Sequence, residues 1–434
     1  MTKPQPEAIA IVGMSCRFPQ SNNSAEFWEL LARAGDAVTE IPASRFDIDE
    51  YYDEDPEKLG KICTRYGGFL DQVDQFDPAF FGIPPRAAKS MDPQQRLILE
   101  VSWEALEHAN IPPASLKNTQ SGVFIGVSEI DYAEQAFADS SKVDIYAGTG
   151  NGQAFVSGRL AYILGLNGPA KSIDTACSSS LVAIHDACQS LRSGETELAI
   201  VGGTHLILNP NNYIFLTRSK SLSPDGRCKT FDAKANGFAR AEGCGVVILK
   251  RLADAQKAGD NVLAVIRGSA VNNDGPSGGL TMPNAVAQEA LIRTALANSG
   301  LQPNQIRYLE AFGTGTMLGD PIELLAAGRV FADDPLRSVD QPLYLGSVKS
   351  NIGHCEPAAG IAGLIKVVLA MQANCLPKQA LFDEANPKVA WENLPFQVVS
   401  ENTEWPIEEQ IAGVSSFGLS GTNVHVILSD ATIE

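Results

Sequence analysis

Four groups of residues have types and spacings that could carry chemistry. Cys177 stands in Asp174-Thr-Ala-Cys177-Ser-Ser-Ser180, and the residues that follow, Leu181, Val182, Ile184, His185, Cys188 and Leu191, have helical spacing. A cysteine at the start of that helix meets free backbone N–H groups and the positive end of the helix dipole, which lower a thiol pKa and suit a nucleophile. The alternative is a small buried core cysteine, the commoner fate of a free thiol and the one assigned to Cys188. Lys349 and His354 form a polar pair in Lys349-Ser-Asn-Ile-Gly-His354, between an apolar strand and a small-residue helix. In open α/β sheets the carboxyl ends of strands present ligands, so this pair reads as functional. Two Gly/Thr loops complete the set, Phe312-Gly-Thr314-Gly-Thr316 and Ser415-Ser-Phe-Gly418-Leu419-Ser-Gly421-Thr-Asn423. Such loops let backbone N–H groups approach an oxyanion or a thioester carbonyl, although an ordinary tight turn explains each equally well.

Placing these groups requires strands and helices in alternation. Apolar runs at 8–12, 123–127, 198–201, 246–249, 263–267, 306–310, 343–346 and 424–428 predict strands, and helical patterns between them predict an α/β protein with largely parallel pairing. Asp92 with Pro93, and Asp320 with Pro321, each give the cap-then-proline entry of a helix. The charged run 252–261 is followed by an apolar strand similar in kind to the opening one, which predicts two halves, 7–260 and 261–430.

Composition narrows the function classes. A chain of 434 residues exceeds the usual size of a single core, and its 44% hydrophobic content excludes disorder. A formal charge of −18 argues against nucleic acid and anionic membrane as partners. The eight cysteines include no C-x-x-C pair, which favours a reducing cytoplasm. The opening MTKPQPEAIA has no secretory pattern, and no run of residues is long and apolar enough to span a bilayer. The five histidines lack H-x-x-x-H spacing, so no metal site is expected, and no phosphate-cradling glycine string occurs. His108, His185, His205 and His425 read as structural.

Taken together and in this order, the motifs resemble those of β-ketoacyl synthases, and in particular the ketosynthase domains of type I modular polyketide synthases. The matching segments are Ala8–Pro19, Met91–Glu107, the Cys177 motif, Gly226–Phe231, Lys349–His354 and Ser415–Asn423, and the likeness runs from about residue 7 to 428. The resemblance implies a thiolase-like fold, two similar βαβ-rich halves in an α-β-α-β-α layered arrangement, paired as a homodimer. It implies Cys177 as nucleophile, the N–H groups of Cys177 and Leu419 as oxyanion hole, His354 on the extender carbonyl and Lys349 as the orienting group. It further implies that Thr314 and Thr316 contact phosphopantetheine carried by an acyl carrier protein, with no cofactor bound by the chain itself. The family reaction is a decarboxylative Claisen condensation.

One position departs from the family pattern. Where the family has Glu-Ala-His-Gly-Thr-Gly-Thr, this chain has Phe312 between Ala311 and Gly313. Phenylalanine neither donates a hydrogen bond nor transfers a proton. The departure predicts an acyltransferase whose acyl loading survives and whose condensation is impaired, a non-elongating or transacylating ketosynthase. The alternatives are an elongating ketosynthase carrying a His-to-Phe change and a catalytically silent docking scaffold. The stretch 217–240, with six basic residues against Asp225 and Asp232, is a candidate docking face for an acidic carrier, the alternative being a loop of internal ion pairs.

Overall fold

The computed structural model describes residues 6–332 and 342–432. Its centre is an 11-stranded sheet. In chain order the strands are β1 (Ile9–Arg17), β2 (Ser121–Gly126), β3 (Ala170–Ile173), β4 (Leu198–His205), β5 (Gly243–Arg251), β6 (Ala264–Asn273), β7 (Tyr308–Glu310), β8 (Leu343–Gly346), β9 (Phe396–Val398), β10 (Ile411–Phe417) and β11 (Thr422–Ser429). The spatial order is β9-β8-β7-β10-β11-β6-β1-β5-β4-β2-β3.

That order contains a duplication. Read outward from the central antiparallel pair β1 and β6, one arm runs β5, β4, β2, β3 and the other β11, β10, β7, β8, and the two arms have the same sequence of antiparallel, antiparallel, parallel and parallel pairings. The sheet is therefore mixed, five parallel and five antiparallel pairings, and the expectation of a largely parallel sheet is corrected. The reason is local. Strands β10 and β11 are joined by four residues, too few for the crossover that parallel neighbours need.

Helices fill the space between and outside the arms. Outer helices α1 (Pro93–His108) and α2 (Ala154–Leu164) cover one arm, while α4 (Ala285–Ser299) and α5 (Gly319–Phe331) cover the other. Between the arms lie α3 (Ser179–Ser193) and α6 (Ala359–Gln372), which touch each other and strands of both arms. Three apolar cores follow from this layering, one around α3 and α6 and one under each outer pair.

The Asp92–Pro93 entry behaves as expected: the Asp92 side chain accepts from the Gln94 N–H, and Pro93 occupies a position whose N–H has no helical partner. The second entry is corrected. Helix α5 begins at Gly319, and Asp320 is buried with its carboxylate turned back onto a neighbouring loop. Strand ends lie beyond the predicted apolar runs because backbone pairing continues through small and polar residues such as Gly243, Thr204 and Asn273.

Helix α6 carries one charge, Lys366, inside an otherwise apolar environment. Its ammonium meets the Glu310 carboxylate at 2.8 Å, and both side chains are almost fully buried. Glu310 also accepts from the Tyr308 hydroxyl at 2.7 Å and the Val348 N–H at 2.6 Å, so one carboxylate fastens the end of β7 to the segment leading into Lys349. Lys366→Met strands a buried anion, and a loss of about 3–5 kcal/mol in unfolding free energy is expected. Chemical denaturation measures it, and a loss under about 1 kcal/mol contradicts the pairing as a stabilising lock.

Candidate active site

The loops that follow β3, β7 and β8, and the turn between β10 and β11, converge on one site. Cys177 lies two residues before the first residue of α3. The preceding Ala176 adopts the left-handed region with φ 56°, a strained conformation for a residue with a Cβ. The β10–β11 turn braces this bend: Ser416 Oγ donates to the Cys177 carbonyl at 2.7 Å, and a Cβ on Gly418 would lie 2.3 Å from the Thr175 carbonyl oxygen. Only glycine permits that approach, so Gly418 belongs to the site and is more than a turn residue. The N–H groups of Leu419 and of Cys177 itself favour the anionic form of the Cys177 thiol.

The expected lowering of the Cys177 thiol pKa is not what this environment produces. Burial and the Glu356 carboxylate push it up to about 12, against opposing pulls from Lys349 and the Leu419 N–H. The thiol is protonated at rest, and its anionic form depends on the two N–H groups and the nearby ammonium. Cys188 is buried in the α3 core as expected.

Lys349 opens the short helix Lys349–Ile352, and His354 follows two residues after it ends. Both are buried. The His354 backbone is held on each side, its N–H donating to the Ala239 carbonyl at 2.8 Å and its carbonyl accepting from the Ala241 N–H at 2.9 Å. Its Nδ1 accepts from the Glu356 N–H at 3.2 Å. Burial and the Lys349 charge hold the His354 pKa well below its ordinary value, so the ring is neutral and carries its proton on Nε2. Burial likewise lowers the Lys349 pKa, with Glu310 and Glu323 opposing.

Phe312 sits between these groups. Its ring meets His354 edge-on, centroids 5.4 Å apart and planes at 89°, and packs on Phe417 at 5.5 Å. The Lys349 ammonium lies over its face, 4.6 Å from the centroid, a cation–π contact. Phe238 approaches His354 from another direction at 5.1 Å.

The loop 312–316 is held from below by two carboxylates one helical turn apart on α5. Glu323 accepts from the N–H groups of Phe312 at 2.7 Å and Gly313 at 2.9 Å, and Asp320 accepts from those of Phe231 at 2.8 Å and Gly315 at 3.0 Å. Gly313 has φ 43°, and a Cβ there would meet Thr230 at 2.6 Å, so this loop too is a built feature rather than an ordinary turn. Thr314 is buried, with its Oγ 3.2 Å from that of Thr316.

Burial raises the Glu323 pKa to about 7, although its two N–H donors oppose the shift. A carboxyl whose folded pKa exceeds its unfolded value of 4.5 makes the folded state bind more protons, so its contribution to stability falls as pH rises between those values. Glu323→Gln removes this titration, and the variant is expected to show a shallower fall in unfolding free energy between pH 4.5 and 7 than the parent. Denaturation across that range checks the sign; an unchanged slope removes Glu323 as a titrating group.

The remaining expectations divide. Each basic residue of 217–240 has a carboxylate partner: Arg218 and Lys220 on Glu57, Arg227 on Asp36, Lys229 on Asp225, Lys234 on Asp383 and Arg240 on Glu356. The segment is therefore not a surplus of free positive charge, and the docking role assigned to it is withdrawn. Three histidines outside the site are bonded within the fold, His108 to the Met14 N–H, His185 to Ser269 and His425 to Ser415. Among the described residues one group of side chains has metal-ligand types close together, Glu129, His205 and Glu356. The Arg240 guanidinium already pairs with both carboxylates there. No described helix is long and apolar enough to cross a membrane. Glu323, Glu356, Arg240, Phe417 and Phe238 do not stand out in the sequence as site residues. Asp320-Pro-Ile-Glu323 offers a signal for the first, two carboxylates at helical spacing beside a glycine loop.

Comparison with known proteins agrees with this geometry. Residues 6–255 match the N-terminal domain of beta-ketoacyl synthases, 263–383 the C-terminal domain, and 385–434 the ketoacyl-synthetase C-terminal extension. The chain belongs to the β-ketoacyl synthase family and has its thiolase-like fold. Within the family it is a ketosynthase domain of the modular polyketide synthase kind. It is 50% identical over 98% of its length to polyketide synthase GfsA of Streptomyces halstedii, covering 6% of that protein. It is also 50% identical over 98% of its length to a phenolphthiocerol/phthiocerol polyketide synthase of Mycobacterium tuberculosis, covering 23% of it. The chain thus spans less than a quarter of these two relatives. Among solved structures, the ketosynthase from module 6 of the bacillaene synthase of Bacillus subtilis superposes with a TM-score of 0.90 at 41% identity, over 98% of this chain and 72% of that one. An oxazolomycin ketosynthase domain of Streptomyces albus gives 0.93 at 39% identity, over 98% and 76%.

Proposed function

We propose that this domain receives an acyl chain from an acyl carrier protein onto Cys177 and passes it to a second carrier without elongating it. The Cys177 sulfur attacks the thioester carbonyl, and the tetrahedral oxyanion is held by the N–H groups of Cys177 and Leu419. Collapse breaks the carbon–sulfur bond to pantetheine, the proton lost by the Cys177 thiol ends on the departing sulfur, and acyl-Cys177 remains; the reverse sequence with a second carrier thiol completes transfer. Thr314 and Thr316, at the buried loop beside the site, contact the phosphopantetheine arm, and the chain needs no cofactor of its own.

The observation that carries the non-elongating reading is the Phe312 ring packed on His354 and under Lys349. Condensation requires loss of carbon dioxide from a malonyl thioester, with negative charge developing on its carbonyl oxygen. His354 offers one donor there, and Phe312 offers none. Loss of one oxyanion donor costs about 3–4 kcal/mol, or about 10²–10³ in rate. Acyl loading depends on backbone groups that Phe312 does not touch. A silent docking scaffold has no use for a strained cysteine turn braced through its carbonyl by Ser416.

Among the described residues no strand pairs with the outer edge of β3, which supports a homodimer, because a second copy can continue the sheet there. Tyr162, on the α2 helix that packs on β3, is 84% exposed in the single chain. The eight unpaired thiols suit a reducing cytoplasm. We take the two halves as 7–260 and 261–430, which agrees with the duplicated strand order. Intact-protein mass spectrometry after incubation with an acyl-pantetheine donor, with and without malonyl carrier protein, tests the function. An acyl adduct that persists, without carbon dioxide release, is expected; rapid condensation overturns the reading.

A further inference from the structure

Next to His354 lies a buried ion pair whose geometry bears on that residue. Arg240 is fully buried, and its guanidinium bonds Glu356 through Nε at 2.5 Å and Nη2 at 3.2 Å. It also approaches Glu129 at 3.6 Å and lies over the Tyr213 ring, 4.9 Å from the centroid. Glu356 has φ 44°, in the left-handed region that a residue with a Cβ avoids. In that conformation its N–H points at His354 Nδ1. The Arg240 backbone lies opposite His354 in an isolated bridge whose hydrogen bonds are made by its neighbours Ala239 and Ala241, so one short segment holds the histidine's main chain and, through Arg240 and Glu356, its ring.

We propose that Arg240 and Glu356 are positioning residues for His354. Their two-pronged ion pair holds the Glu356 backbone in its strained turn, the turn aims an N–H at Nδ1, and Nε2 is left as the nitrogen that carries the proton. The role of that proton rests on the reading of His354 as a donor to the substrate carbonyl. An imidazole free to exchange tautomers presents a lone pair to the oxyanion for part of the time and loses its function in proportion. The pair is bidentate and enclosed, which suits arginine and excludes lysine as an equal substitute.

The test removes both charges together in a Glu129→Gln background, because Arg240 also pairs with Glu129 and its loss would leave that carboxylate without its cation. In Arg240→Met/Glu356→Ala the backbone relaxes out of the left-handed region, and in Arg240→Met/Glu356→Gly glycine keeps it without strain. Histidine-selective 15N labelling, with His354→Gln to assign the signal among five histidines, reads the tautomer directly. The alanine variant is expected to show a substantial population protonated on Nδ1 and a fall of about tenfold or more in the residual malonyl decarboxylation kcat, the step in which His354 is the donor, with KM changed by less than about twofold. The glycine variant is expected to retain most of the Nε2–H signal and activity. An unchanged tautomer in the alanine variant, or equal loss in both, overturns the proposal. If the alanine variant does not fold, Arg240→Lys replaces it, and a parental 15N spectrum there has the same meaning. A shifted tautomer with undiminished malonyl decarboxylation leaves the positioning intact and instead overturns the donor role given to His354.

Discussion

Cys177→Ala abolishes acyl loading: no adduct is expected by mass spectrometry under conditions that label the parent to completion. Eight cysteines are present, and the structure separates one from the rest. Cys16, Cys188, Cys228, Cys244 and Cys355 are buried with thiol pKa values pushed to about 11 or higher by desolvation. Cys177 and Cys375 are half-buried, and of these two Cys177 stands at a braced turn, its carbonyl accepting from Ser416 and its anionic form favoured by Lys349 and the Leu419 N–H. Its reactivity therefore comes from stabilisation of the thiolate and of the oxyanion as they form, not from a low resting pKa. Loading is expected to accelerate with pH through the neutral range as the thiolate fraction grows. Label recovered mainly on Cys188 or Cys355 after tryptic mapping refutes the assignment, and a pH-independent loading rate refutes the account of the resting thiol.

The second large effect concerns Phe312. Phe312→His is expected to raise malonyl decarboxylation and β-ketoacyl product formation by about 10²-fold or more if the rest of the site is competent. The loop that carries position 312 is held at two consecutive N–H groups by Glu323, independently of the side chain. An imidazole placed there inherits a fixed backbone, with His354 and Lys349 beside it. Recovery of that size identifies an elongating site interrupted at a single residue. Little recovery with intact loading identifies a site shaped for transfer by more residues than Phe312. Vigorous condensation by the parent itself defeats the argument from the missing donor. Cys177 loading by the variant serves as the control and should differ by no more than a few-fold.

Much of this organisation is legible before any coordinates. The Cys177 motif and its helix, the Asp92–Pro93 entry and the strand 343–346 correspond to what the fold contains, because each depends on short-range rules: spacing, capping and apolar runs. Strands β3 and β10 are illegible for the converse reason. Ala170–Ile173 is short and polar at an edge, and Ile411–Phe417 mixes small and polar residues on a strand buried on both sides. Neither has the alternation or the apolar density that marks a strand. Asp320 misleads as a helix cap because its partners, Phe231 and Gly315, lie in loops that only the folded chain brings near.

What the amino-acid sequence offered by itself is a set of candidate residue types, Cys177, Lys349, His354 and Phe312, and an α/β chain. These follow from residue identity and from periods of a few residues. The tertiary structure decided the rest. It set the direction of the Cys177 pKa, since burial and a carboxylate 179 positions away outweigh a local helix terminus. It chose the tautomer of His354, through an N–H aimed by the Arg240–Glu356 pair, and it neutralised the basic stretch 217–240 with carboxylates drawn from distant segments. Electrostatic energies depend on distance and dielectric in three dimensions, and neither quantity is encoded in the order of residues along the chain.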